Sequence, residues 1–213
     1  IVALVAAALS APALATPVPL GRDMTRRGYE QIADKKGVKV YKHRYSDTIR
    51  VGADGIIPAS PDQILGVLLD YENQLGVVDR LTESRILRRG DNFMLVYQRL
   101  NLPVIDDRDF VLLVKWWKKK GTTFVRYRAV ENRGPKPRDG IVRVTDHSGT
   151  WQIKPEDGCN SSRVRFQVGI DLSGWLPLWM ARAGAGKELP DLFASVKQMT
   201  SRNKYRRIAC TSK

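Results

Sequence analysis

The chain is poor in the residues that hold metals. Its 213 residues include two histidines and two cysteines. His43, His147, Cys159 and Cys210 stand well apart along the chain. A structural zinc site takes about four N/S ligands in close spacing, so most zinc modules are excluded and neither metal nor cofactor is expected. Glycine-rich phosphate loops are missing too: no GxGxxG or P-loop pattern occurs. No apolar run reaches the ~20 residues that cross a bilayer as a helix, which excludes a polytopic membrane protein. Acidic residues are the minority charge, 22 Asp and Glu against 36 Lys and Arg, for a net +14. That surplus fits an anionic partner, either nucleic acid or an anionic membrane, or simply serves solubility. With 43% apolar and 27% charged residues, the chain has an ordinary globular balance and is not wholly disordered. Its length suits one domain with room for a terminal segment. Such a domain buries roughly 70% of its unfolded surface and needs no metal or disulfide to fold.

Residues Ile1 to Ala15, IVALVAAALSAPALA, carry no charge. The run is too short to span a bilayer and ends in Ala13-Leu14-Ala15, the small-x-small pattern of a secretory cleavage site. The basic stretch that normally precedes such a run is missing, as in a signal peptide trimmed at its start. Cleavage after Ala15 and a periplasmic or secreted location are expected. Outside the cytoplasm a basic protein meets lipid headgroups, glycans and proteins, so nucleic acid is not an expected partner. In an oxidising compartment Cys159 and Cys210 can form a disulfide; two free thiols are an equal reading of the sequence.

The rest of the chain reads as α+β. Asp23 to Lys36 has apolar residues at helical spacing (Met24, Tyr29, Ile32, Ala33) and stops at Gly37, predicting a helix. Val38 to Tyr45 and Ile49 to Ile57 read as strands. Ser60 is a candidate N-cap, with Pro61 at the first helical position and Ile64, Leu65, Val67, Leu68, Leu69 and Tyr71 on the apolar face. A shorter helix is expected over Glu72 to Val78. Strands follow at Leu81 to Leu87, Phe93 to Leu100, Phe110 to Trp117, Thr123 to Val130, Gly140 to Ile153 and Arg163 to Asp171. Turns such as Arg89-Gly90-Asp91-Asn92 and Lys120-Gly121 separate them. Short links between consecutive strands predict one antiparallel meander. Leu176 to Thr200 reads as a long helix, bent by Gly184, Gly186 and Pro190. Ser201 to Lys213 reads as a loose basic tail. A long sheet must bury one face, and one long helix can cover it.

Three stretches carry a resemblance. The Ser60-Pro61 helix ends in Leu69-Asp70-Tyr71. Val96-Tyr97 is followed by Asn101-Leu102-Pro103 and then Arg108-Asp109-Phe110-Val111. Gly149-Thr150-Trp151-Gln152-Ile153 with Pro155 precedes Asp171-Leu172-Ser173-Gly174-Trp175-Leu176-Pro177. In order and spacing these resemble the START family, the lipid-transfer domains related to steroidogenic acute regulatory protein. The resemblance covers residues 23 to 200. It implies a helix-grip fold, a curved antiparallel sheet gripping a long C-terminal helix around a hydrophobic cavity, in a monomeric carrier of one lipid. It also implies a lid made of Asn101 to Asp106, with Leu102, Val104 and Ile105 at its apex, and of Trp175 to Val196.

Strand alternation then nominates pocket residues: Tyr97, Arg108, Phe110, Trp116, Tyr127, Trp151 and Phe166, with Trp175, Leu176, Trp179, Met180, Ala183 and Leu192 from the last helix. Arg126 and Arg128 alternate with Val125 and Tyr127, and the arginines are expected to face solvent. Arg108, among Asp106, Asp107 and Asp109, is expected to fix the lid loop by a bidentate pair; contact with a ligand headgroup is its other reading. Trp117-Lys118-Lys119-Lys120 sets an aromatic ring beside cations, a pattern of contact with an anionic membrane. The plainer reading is a hairpin end solvated by lysines. Neither histidine has a Ser or Cys in nucleophile context, so an enzyme is not expected. The alternative is a cyclase- or hydrolase-like enzyme using the same cavity, because fold does not decide function.

Overall fold

A computed structural model of the chain describes residues 17–46, 48–76, 78, 80–101, 106–171, 178–206 and 208–210, with side chains in the last long helix from residue 186 onward. Three strands open the fold: β1 (Tyr29–Lys35), β2 (Val38–His43) and β3 (Ile49–Ile57). The helix expected over Asp23 to Lys36 is therefore a single 3-10 turn at Thr25–Arg27 followed by a strand. Lys36 and Gly37 both take positive φ, 55° and 73°, the geometry of a two-residue hairpin turn rather than of a helix end.

Helix α1 (Pro61–Leu69) begins where the sequence says it should. Ser60 Oγ accepts from the Gln63 N–H at 3.2 Å, and the Ser60 N–H donates to Gln63 Oε1 at 2.9 Å. This capping box contributes about 1 kcal/mol. The short helix expected next is a 3-10 turn, Tyr71–Gln74. The chain then crosses to the far edge of the sheet and meanders back through β4 (Leu81–Arg89), β5 (Phe93–Leu100), β6 (Asp107–Lys119), β7 (Thr122–Ala129), β8 (Ile141–Arg143), β9 (Asp146–Glu156) and β10 (Ser161–Asp171). The order across the sheet is β1-β2-β3-β10-β9-β7-β6-β5-β4, antiparallel throughout. β8 pairs parallel to the start of β6. The strand expected over Gly140 to Ile153 is thus two strands, split where Arg143 reaches Asp109.

α2 (Leu178–Thr200) lies across the face of β1, β2 and β3 and against α1. The residues expected to form a loose tail are instead tied down. α3 (Asn203–Arg206) buries Tyr205, whose hydroxyl donates to Asp70, and Lys204 Nζ lies 2.6 Å from the same carboxylate. A Cβ on Gly66 would stand 2.7 Å from Ile208 Cδ1, so glycine there lets the tail lie against α1. A disulfide joins Cys159 to Cys210 across 51 residues.

The N-terminal strap is held equally firmly. The Val18 N–H donates to Gln167 Oε1 at 3.0 Å, and the Leu20 N–H to Gln152 Oε1 at 2.8 Å. Arg165 bonds the Pro19 and Arg22 carbonyls at 2.8 and 2.9 Å while pairing with Asp54. The strap lies on the sheet face turned away from α2.

Candidate functional site

Alternation along the strands sorts the sheet into two faces. The face toward the helices carries Val96, Phe110, Leu112, Val114, Val125, Tyr127, Trp151, Ile153, Val164 and Phe166, all buried in one cluster with Leu189, Phe193 and Val196 of α2. Trp151 stacks on Phe166 at 4.1 Å and lies 5.8 Å from Phe193. Such aromatic packing stabilises beyond the area it buries. Leu192 and Trp116 are half-buried against the same cluster.

At one end of the sheet this face is not fully covered. Leu100, Ala129, His147, Val168 and Ile170 are only half-buried there. Register places them together: Ile170 opposite His147, Val168 opposite Gly149, and Leu100 opposite Arg108. β5 ends at Leu100 and β10 at Asp171 on this same end; of the lid expected from Asn101 to Asp106 and from Trp175 to Val196, residues 102–105 and 175–177 lie outside the described residues.

Polar groups gather at that end. The His147 ring sits 5.0 Å from Phe110 and 4.9 Å from Tyr127. Its Nδ1 is shut from solvent and has no hydrogen-bond partner. Burial pushes the imidazole pKa down to about 4, against a hydrogen bond to the Gly169 backbone, so the ring is neutral at pH 7. Tyr127 lies flat over Gly149, where a Cβ would stand 2.5 Å from its hydroxyl. Burial raises the pKa of Tyr127 well above its ordinary value, and nearby Tyr71 adds to the rise. Burial raises Tyr71 likewise. Arg108 is buried on this face and donates to the Asp106 carbonyl.

Tyr97, expected in the pocket, lies on the opposite face. Its hydroxyl donates to Asp109 Oδ2 at 3.0 Å, and the Arg85 and Arg138 guanidiniums stand 5.3 and 5.7 Å from its ring. Arg143 grips both oxygens of Asp109, at 2.6 and 3.1 Å. Asp107 accepts from Arg99 and Asn101. Arg143 thus makes a bidentate pair with Asp109 in this cluster. Arg126 faces away from α2, 5.6 Å from the ring of Trp117, which stacks on Phe124 at 5.2 Å. Lys118 lies 2.8 Å from Asp62 of α1, while Lys119 and Lys120 are exposed at the hairpin turn. Leu102, Val104, Ile105, Trp175 and Leu176 lie outside the described residues, as do the side chains of Trp179, Met180 and Ala183. His147 and Tyr71 were not nominated from sequence. The one available signal was parity: His147 shares the odd-numbered face of β9 with Trp151.

A curved antiparallel sheet closed by a C-terminal helix over an apolar face is the START, or helix-grip, architecture. The sequence profile of the family described as polyketide cyclase / dehydrase and lipid transport matches residues 57–197, and the chain belongs to that family. Solved structures share the fold. A STAR-related lipid transfer protein from Xanthomonas axonopodis superimposes with a TM-score of 0.75 at 21% identity, over 82% of this chain and 99% of that one. Human STARD10 gives 0.75 at 16% identity, over 85% and 76%. The Zhui aromatase/cyclase of a Streptomyces gives 0.54 at 12%, over 73% and 94%. No curated protein sequence matches the chain.

Proposed function

We propose that this protein binds one hydrophobic ligand between its sheet and α2 and transfers it between membranes. The observation that carries this reading is the inner face itself. A continuous apolar wall from Val96 to Phe166 is closed by α2 at one end and left half-covered at Leu100, Ala129, Val168 and Ile170 at the other. A groove of that composition takes apolar ligands, with affinity drawn chiefly from buried hydrocarbon area. The lipid transfer proteins that share the fold support the same reading. A sterol, hopanoid, phospholipid or fatty acid fits it. The chain acts as an exported monomer without cofactor: the Ile1 to Ala15 stretch and the Cys159–Cys210 disulfide suit an oxidising compartment. Trp117, Lys119 and Lys120 form the surface that meets anionic lipid, each near-surface cation being worth about 1 kcal/mol.

Native mass spectrometry of the purified protein, with extraction of any bound lipid, tests this. An adduct of lipid mass and transfer of labelled lipid between vesicles are expected. A bare mass that stays unchanged after incubation with mixed vesicles sinks the reading. One observation favours a second reading, an enzyme of cyclase or hydrolase type: the His147 and Tyr127 rings meet inside the fold, 4.9 Å apart. Recovery of a chemically altered ligand, rather than the one supplied, would decide for it.

A further inference from the structure

The inner face contains a polar point that its own fold leaves unanswered. His147 Nδ1 is buried and unpartnered. Beside it lies the ring of Tyr127, 4.9 Å away. Buried polar groups in proteins are nearly always satisfied, and each one left bare costs about 1–3 kcal/mol. Elsewhere in this sheet the rule is kept, as at Gln98, which donates to Ser84 and Gln74. A bare buried nitrogen at the half-covered end of the apolar face is explained most simply by a ligand atom that belongs there.

The chemistry of that atom follows from the groups present. A neutral imidazole carries one N–H and one bare nitrogen, and a hydroxyl, which both donates and accepts, can serve Nδ1 in either tautomer. A phosphate would set its charge against a neutral ring.

We propose that His147 Nδ1 accepts a hydrogen bond and, beside Tyr127, forms a polar anchor that selects hydrophobic ligands ending in a free hydroxyl over those ending in a phosphate or in no donor. This rests on the ligand-binding reading above and deepens it. The hydroxyl donates to Nδ1, and its oxygen accepts from a tyrosine. The hydrocarbon body lies along Phe110, Leu112 and Trp151.

The test uses two probes of matched length, hexadecan-1-ol and its methyl ether, titrated against the full chain by tryptophan fluorescence. The intact protein is expected to prefer the alcohol by about tenfold, the value of one hydrogen bond made inside a protein. In His147→Phe, which keeps a ring between Phe110 and Tyr127, the ratio of alcohol to ether affinity should fall to about one. If His147→Phe does not fold, Tyr127→Phe removes one hydroxyl only and should narrow the preference. Independently, the nitrogen NMR signal of Nδ1 in the intact protein should move on adding the alcohol and not the ether. Equal binding of both probes with an unmoved Nδ1 signal overturns the anchor and leaves lipid binding standing. Binding of neither probe, with no uptake from phospholipid vesicles, overturns both.

Discussion

The outer face of this sheet and the half-covered end of its inner face treat buried polar groups in opposite ways. On the outer face the buried charged and amide groups are matched. Arg143 and Tyr97 converge on Asp109, Arg165 pairs with Asp54, and Gln152 and Gln167 bond the backbone of the strap. The inner face closes its bonds too where β4 meets β5, at Ser84 and Gln98. At its half-covered end His147 Nδ1 is buried without a partner. Polarity alone therefore does not mark a site in this fold. What sets the proposed anchor apart is that the protein does not complete its hydrogen bonds there. The outer arrangement gains stability through closed pairs, and the proposed anchor forgoes some of it to keep a group available for a ligand.

The largest effect should come from opening an outer-face pair. Asp109 is almost wholly buried and holds Arg143, whose side chain is 13% exposed, together with Tyr97. Asp109→Ala strands a guanidinium and a phenol. Breaking a buried pair from one side costs about 3–5 kcal/mol, so a drop of about 4 kcal/mol in a denaturant melt is expected. If Asp109→Ala loses less than about 1 kcal/mol, this cluster is not the closed structural unit described.

Why one face was more legible than the other is a matter of physics. The start of α1 could be read because Ser60, Pro61 and Gln63 act locally, through bonds spanning three residues. The inward set on β7 could be read because Val125 and Tyr127 alternate with Arg126 and Arg128, and arginine avoids an apolar interior. Tyr97 could not be placed that way. Val96 and Tyr97 are both buried, on opposite faces, and what settles Tyr97 is Asp109, twelve residues on, together with Arg143. The first strand was misjudged because Met24, Tyr29, Ile32 and Ala33 satisfy helical spacing, while Lys36-Gly37 makes a hairpin with β2. The tail was misjudged because its anchors, Asp70, Gly66 and Cys159, lie far back in the chain. His147 was passed over as a base without a nucleophile. Its significance lies in a missing bond, and only the packing shows that.

The next effect sets the inner face against acid. His147 is about 4 in the folded protein and 6.5 when free, so below pH 6.5 the unfolded chain binds the proton that the folded chain refuses. Stability is then complete above pH 6.5, falls as pH drops and levels off below about 4. Discounted for the partial exposure of the residue, the loss should be about 2 kcal/mol. Denaturant melts at pH 7, 5.5 and 4 measure it. His147→Phe should remove this part of the acid sensitivity, and an unchanged acid slope in that variant would falsify the assignment of the slope to the inner face.

The smallest effect sharpens the contrast most. Gln167 exchanges two bonds with Val18, the N–H at 3.0 Å and the carbonyl at 3.1 Å. Gln152 also holds the Val18 carbonyl at 2.8 Å and takes the Leu20 N–H. In Gln167→Ala the carbonyl keeps Gln152, and only the Val18 N–H is left bare. A cost of about 1 kcal/mol is expected, with faster amide exchange at Val18 and little change at Leu20. Gln152→Ala should instead speed exchange at Leu20, whose N–H then loses its acceptor, while Val18 keeps Gln167. Neither variant touches the inner face, so the preference for an alcohol over its ether should stay as in the intact protein. A shift in that preference would mean that the strap and the ligand face are coupled through β9 and β10, and the two sides of the sheet would then have to be treated as one site.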